Sequence, residues 1–194
     1  MTGANRGAVD RLDRLAGRPA GSLLVAAWAA GEAIVLPIVP DVGAAALVLA
    51  SPRRVGRLLV AAVIGAVLGS LLLAGLFAAA PGPVRDLVLA VPGVNDFLLD
   101  AARTDLERAG VLGFAQVGPG PPLKAYALEW LALGGDVPGL VAGTVVNRVT
   151  RIGPVLLAAA VLGWAFGDLM RRRPATTAVA YAAFWIAVYA YTFG

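Results

Sequence analysis

The stretch Glu32-Ala-Ile-Val-Leu-Pro37-Ile-Val-Pro40-Asp41 places two carboxylates and two prolines inside an apolar run. Pro19 to Gly31 before it and Val42 to Pro52 after it carry no charge. A soluble core has no need of so much apolar chain on both sides. A plain membrane span would not hold two helix breakers and two carboxylates. Ionisable groups at membrane depth are costly and are retained for function. Broken backbone is tolerated there only where protein or water satisfies it. The stretch therefore reads as the tip of a re-entrant hairpin, roughly Gly21 to Ala50, that dips into the bilayer and returns. A spanning arm needs about 20 residues, and the second arm, Val42 to Ala50, is too short. Arg53, Arg54 and Arg57 follow it, and Arg clusters favour the cytoplasm.

Composition agrees. The 194 residues are 59% hydrophobic and 14% charged, against about 45–50% and about 25% in soluble domains. One integral membrane domain, residues 1–194, accounts for the chain. The net charge of +4 comes from Arg, with Lys124 the only lysine. In a membrane protein that balance reports orientation, and no nucleic-acid partner is implied. The sequence has no Cys and no His, which removes thiol chemistry, disulfides, imidazole acid–base work and the usual zinc ligands. No metal site, cofactor or catalytic residue is expected. The first apolar run starts late and meets Glu32 rather than a small-residue cleavage site, so it is not a secretory signal.

Residues 1–18 carry Arg6, Arg11, Arg14 and Arg18 with apolar Val9, Leu12 and Leu15 at helical spacing. They read either as an amphipathic helix on the inner surface or as a tail of basic topogenic charges. The first hairpin plus span occupies 20–80. Its span, Leu58 to Ala80, is uncharged and contains Gly65-Ala-Val-Leu-Gly69, a small-xxx-small pattern that brings helix backbones together. Residues 81–110 form a net-acidic outer linker after Pro81-Gly-Pro83, with a helix over Asn95 to Ala109.

A second interrupted apolar segment, Val111 to Leu133, breaks at Gly118-Pro119-Gly120-Pro121-Pro122, and Lys124 follows. Such breakers cannot continue a helix, and a second hairpin entering from the outer face is expected. With the long helix from Pro138 to about Leu169 it makes up 111–170. Gly139, Gly143, Asn147 and Arg151 form one stripe of that helix, and Arg148 lies beside it. Pro154 is expected to kink it. Arg171 to Arg173 end it inside, and 174–194 form an uncharged last span with Tyr181, Trp185 and Tyr189.

The fold class is thus an all-α membrane protein: two opposed re-entrant helical hairpins, each followed by a transmembrane helix, and a C-terminal transmembrane helix. An inverted repeat with broken helices at mid-membrane is a transporter device. The N-terminus is placed in the cytoplasm, and the protein in the inner or plasma membrane.

Taken together, Glu32-x4-Pro37-x2-Pro40-Asp41, Gly65-x3-Gly69, Pro121-Pro122-x-Lys124 and Asn147-Arg148-x2-Arg151 resemble the DedA family, also called the SNARE-associated or VTT-domain superfamily, and its YqaA-like branch in particular. The resemblance covers about Ala30 to Gly163. It implies two opposed hairpins and movement of polyprenyl-phosphate or phospholipid head groups, proton-coupled in some members. It matches Glu32 and Asp41 to the family's acidic pair, Lys124 to its basic position and Arg148 and Arg151 to its Arg pair. Gln116 and Gly118 stand where the family often has an Arg, and Glu129-Trp130 where small residues are common.

The residues support these roles alongside plainer ones. Glu32 is either a snorkelling carboxylate or, if buried, a proton carrier, because desolvation disfavours its charge. Asp41 is placed to cap the helix from Val42 whatever else it does, and it shares the proton-coupling assignment. Lys124 either snorkels or binds phosphate. Arg148 and Arg151 fit a phosphate by bidentate donation or form an ion pair with Glu32 or Asp41. Pro37, Pro40, Pro121, Pro122, Gly65 and Gly69 are structural.

Function follows as transport of an anionic, phosphate-bearing lipid head group, with membrane lipids as partners. A small-molecule or drug exporter and a non-transport scaffold are the alternatives. An enzyme is the class with least support.

Overall fold

The computed structural model describes residues 6–115 and 120–193, with the side chains of 9–115 and 120–190. The described residues are helical, with no strand among them. Of the second break, Gly118 and Pro119 lie outside the described residues, as does the C-terminal Gly194.

Helix α1 (Arg6–Gly17) is followed by α2 (Pro19–Glu32), which starts with proline in the position where its missing N–H costs nothing. The break Ala33 to Pro40 separates α2 from α3 (Asp41–Ala50). A 3-10 turn, Pro52–Arg54, leads into α4 (Val55–Ala79). The latter has 25 residues, about 38 Å at 1.5 Å per residue. Helix α4 together with that turn, and the later α8 (Val137–Arg172), are the two described helices long and apolar enough to cross a bilayer. Large apolar residues Val60, Ile64, Leu68 and Leu72 form an exposed stripe along α4. Such a continuous apolar face suits lipid, not water.

The opposite face of α4 holds Gly65 and Gly69. A Cβ at Gly65 would drive into the carbonyl of Ala26, and one at Gly69 into that of Ala30. The two glycines let α2 lie directly along α4. Helix α3 lies along α8 instead, so the two arms flanking the first break splay apart rather than packing as a pair. Both arms still end at one pole. Arg54 donates to the Ala16 carbonyl at 3.4 Å, and Arg57 donates to the carbonyls of Ala16 and Gly17. These arginines supply hydrogen bonds to the C-terminal carbonyls of α1, as cations at that end of a helix do.

At the other pole the expected linker is mostly helix. A single residue, Ala80, breaks α4 by leaving the helical region, which the proline that follows it disfavours. Helix α5 (Pro81–Leu89) starts at once, so Pro81 opens a helix as well as closing one. Helix α6 (Asp96–Ala109) is capped by Asn95, whose side chain accepts from the Leu98 N–H at 3.0 Å. The segment after α6 is a 3-10 turn, Gly110–Phe114, not a long apolar arm. Gly110 takes a positive φ of 56°, and Gly113 sits so close to the Asp105 carbonyl that no Cβ fits. This compact corner seats Phe114 against Gly143 of α8.

Helix α7 (Leu123–Ala132) then packs across α6, with the Tyr126 hydroxyl donating to Asp105 at 2.8 Å. Asp136 caps α8 by accepting from the Gly139 N–H at 2.8 Å. Helix α8 runs through Pro154 for 36 residues. Helix α9 (Pro174–Phe193) closes the chain.

Candidate functional site

The site is built on the two breaks. In the first, three successive N–H groups, of Ile34, Val35 and Leu36, turn onto the Gly31 carbonyl at 3.2, 2.8 and 2.9 Å. Beyond them the backbone has no helical partner and is satisfied by side chains. The Trp28 indole donates to the Ile38 carbonyl at 2.9 Å. The Val39 N–H donates to the Tyr189 hydroxyl at 3.1 Å, and just past the break, in the first turn of α3, the Val42 carbonyl accepts from the Tyr181 hydroxyl. The Leu36 carbonyl accepts from the Lys124 ammonium at 2.7 Å. Unwound chain survives away from water only with such partners. Here they come from α2, α7 and α9.

The breaks also gather charge. Glu32, the last residue of α2, is 1% exposed and Arg148 of α8 is fully buried; they form an ion pair. Lys124, the second residue of α7, is 2% exposed and Asp41, the first residue of α3, is 5% exposed. Glu32 lies within electrostatic reach of Arg148, Lys124 and Arg151, and Asp41 within reach of Arg151 and Arg148. Three cations thus face two carboxylates, leaving one formal positive charge among helices that bury it. Buried charge must be paired or hydrogen-bonded to be tolerated. Two groups retain unused capacity: Asp41 Oδ1 and the Nε and Nη1 of Arg148 have no hydrogen-bond partner.

A cavity of about 770 Å³ opens beside the cluster. Glu32, Asp41, Lys124 and Arg151 line it, with Pro37 of the first break and Pro122 of the second. Pro40 and Pro121 are buried beside these turns. Arg148 does not line the cavity. It is turned to Glu32, so the ion-pair alternative is the one this residue shows. Asn147, from the same helix, donates to the Phe114 carbonyl at 2.9 Å and ties the 3-10 corner to α8.

Two parts of the lining carry no motif. Trp185 and Tyr189 of α9 form one wall, and their spacing of four residues is a visible helical stripe in the sequence. The loop between α5 and α6, from Val91 to Asn95, forms another, with Gly93 at a positive φ of 84°. By sequence this loop is outer linker only. Glu129, 3% exposed, is clasped by Arg85 at 3.1 Å and Arg103 at 3.6 Å, which tie α5 and α6 to the far end of α7.

No protein-family model, curated protein or solved structure matches this chain, so the family resemblance rests on its four motifs alone.

Proposed function

We propose that this protein carries a phosphate-bearing lipid head group across the cell membrane, through two re-entrant hairpins that enter from opposite faces. The observation that carries the reading is the cluster of three cations and two carboxylates beside the 770 Å³ cavity, all of them buried except the half-buried Arg151. Its one surplus positive charge is balanced by a monoanion. The Arg151 guanidinium offers a planar fork to two phosphate oxygens, and the Lys124 ammonium offers point-charge donation. Lys124 leaves the Leu36 carbonyl to do so, and that exchange links ligand arrival to the contact between the two hairpins. The lipid's chains stay among Phe184, Val188 and Val155 at the cavity wall.

Arg148 acts by positioning. It neutralises Glu32 and holds the end of α2 against α8. Asp41, with one carboxylate oxygen unpartnered, is the group open to a proton, and protonation there raises the positive surplus that attracts the phosphate. This assigns the coupling step to Asp41 and a structural pair to Glu32.

The exporter reading has one supporting observation, the aromatic wall of Phe184, Trp185 and Tyr189 beside two carboxylates. A cationic substrate there would meet the surplus positive charge. Reconstitution separates the two. In proteoliposomes, a fluorescent phosphatidic acid is expected to lose leaflet asymmetry with the parent chain, and about tenfold more slowly with Arg151→Gln, the loss of one charged hydrogen-bonding group. Transport of an amphiphilic cation with no lipid movement would establish the exporter instead. Absence of both would leave the scaffold role.

A further inference from the structure

A second cavity, of about 840 Å³, lies at the Arg-rich pole between α1, the α3–α4 junction, α8 and α9. Arg53, Arg54 and Arg171 line it against Asp13 and Asp168, which again leaves one formal positive charge. Arg54 is committed, donating to Ser51 Oγ at 2.8 Å and to the Ala16 carbonyl. Arg53 and Arg171 are exposed. Leu12, Leu49, Trp164 and Tyr181 contribute apolar surface to the same space. A cationic rim over an apolar floor complements an amphiphile whose head is anionic: guanidinium forks take the phosphate and the floor takes the first part of the chains.

The two cavities share no lining residue. What lies between them is aromatic. Tyr181 lines the Arg-rich cavity and donates its hydroxyl to the Val42 carbonyl. Its ring meets the edge of Trp185, at 6.3 Å between centroids, and Trp185 lines the central cavity.

We propose that the Arg-rich cavity is a second binding site for an anionic phospholipid head group, held by Arg53 and Arg171, and that the Tyr181–Trp185 pair divides it from the central site. Its place as the waiting site for transport rests on the translocation reading; the binding itself does not.

Each cavity contains its own tryptophan, which makes the two sites separable. The full chain in detergent is titrated with dihexanoyl phosphatidic acid, with dihexanoyl phosphatidylcholine and inorganic phosphate as controls. Indole emission is expected to change in two saturable phases, one removed by Trp164→Phe and the other by Trp185→Phe. Arg53→Glu with Arg171→Glu is expected to move the Trp164 phase to at least about tenfold higher concentration, by loss of two charge-assisted contacts, and to leave the Trp185 phase in place. The neutral pair Arg53→Gln with Arg171→Gln, which folds under milder demands, is expected to fall between parent and reversal.

A Trp164 phase that phosphatidylcholine produces equally marks a general amphiphile groove and overturns the proposal. One that inorganic phosphate produces equally marks a free-anion site and overturns it too. A Trp164 phase unmoved by either double substitution, or no Trp164 phase at all, has the same consequence. Loss of the Trp185 phase alone counts against translocation through the central cavity and leaves the second site standing.

Discussion

The ammonium of Lys124 donates to the Leu36 carbonyl at 2.7 Å, across 88 positions of sequence, and so joins the two proline breaks directly. The same lysine lines the central cavity. It clasps the two breaks together, and in the proposed function it is also a charge for the ligand. Lys124→Met keeps the stem and removes the donor. It is expected to cost about 1–3 kcal/mol, since a buried carbonyl loses its partner, read as a lower thermal midpoint in detergent. Lys124→Glu is expected to depress lipid movement further than Lys124→Arg, which retains the charge. Equal loss in those two variants would mean that shape alone matters at this position.

Glu32 and Arg148 are fully buried and ion-paired. Removing one partner leaves an uncompensated charge, at about 3–5 kcal/mol. Glu32→Gln and Arg148→Gln are each expected to destabilise strongly, and the double variant to be less damaging than their sum. The neighbouring Lys124 and Arg151 soften the Arg148 substitution more than the Glu32 one, because they still face Glu32 when Arg148 is gone, whereas losing Glu32 leaves cations facing cations. A double-mutant cycle of unfolding midpoints measures this. Strict additivity would show that the pair is not coupled.

Asp41→Asn is expected to abolish dependence of transport on an imposed pH gradient while phosphatidic acid still binds in the Trp185 phase. The carboxylate oxygen without a partner is the reason for choosing Asp41 over Glu32. Gradient dependence that survives in Asp41→Asn removes this residue from coupling.

Gly65 and Gly56 both lie in α4, the one in its interior and the other in its first turn, and their surroundings differ. At Gly65 a methyl group meets the Ala26 backbone; at Gly56 nothing lies within 4 Å. Gly65→Ala is expected to destabilise by about 1–3 kcal/mol, since backbone cannot yield as a side-chain tip can. Gly56→Ala is expected to be neutral or stabilising by up to about 1 kcal/mol, because alanine favours the helix. Matching melting curves for the two would place the α2–α4 contact elsewhere.

The Cys-free sequence permits single-cysteine labelling without background. Impermeant reagents are expected to reach positions 53 and 171 from the cytoplasmic side and position 100 from the outside, following the Arg distribution. Labelling of position 53 from outside would mean that α2 and α3 cross the bilayer between them and do not return.

Much of the helical content was legible in the sequence, because local physics sets it. An uncharged run of over 20 residues announces α4, and a proline start followed by a long unbroken run to about Leu169 announces α8. Pro37, Pro40, Pro121 and Pro122 forbid helix where they stand. The cost of isolated charge in apolar surroundings is the physical reason that Asp41, Lys124 and Arg151, each set in an apolar segment, line one cavity. Partner choice was not readable. That Arg148 takes Glu32, while Arg151 faces the cavity, depends on the rotation of α8 against the end of α2. The 3-10 corner Gly110–Phe114 depends on how close α6 comes to Gly113. The hydroxyls of Tyr181 and Tyr189 stand in a segment that reads as one more apolar span, yet they make hydrogen bonds to Val42 and Val39 at the first break, 139 and 150 positions away. Periodicity and breakers act over a few residues and are written in the chain. A hydrogen bond across the bundle exists only once the helices have docked, and only the tertiary structure decides it.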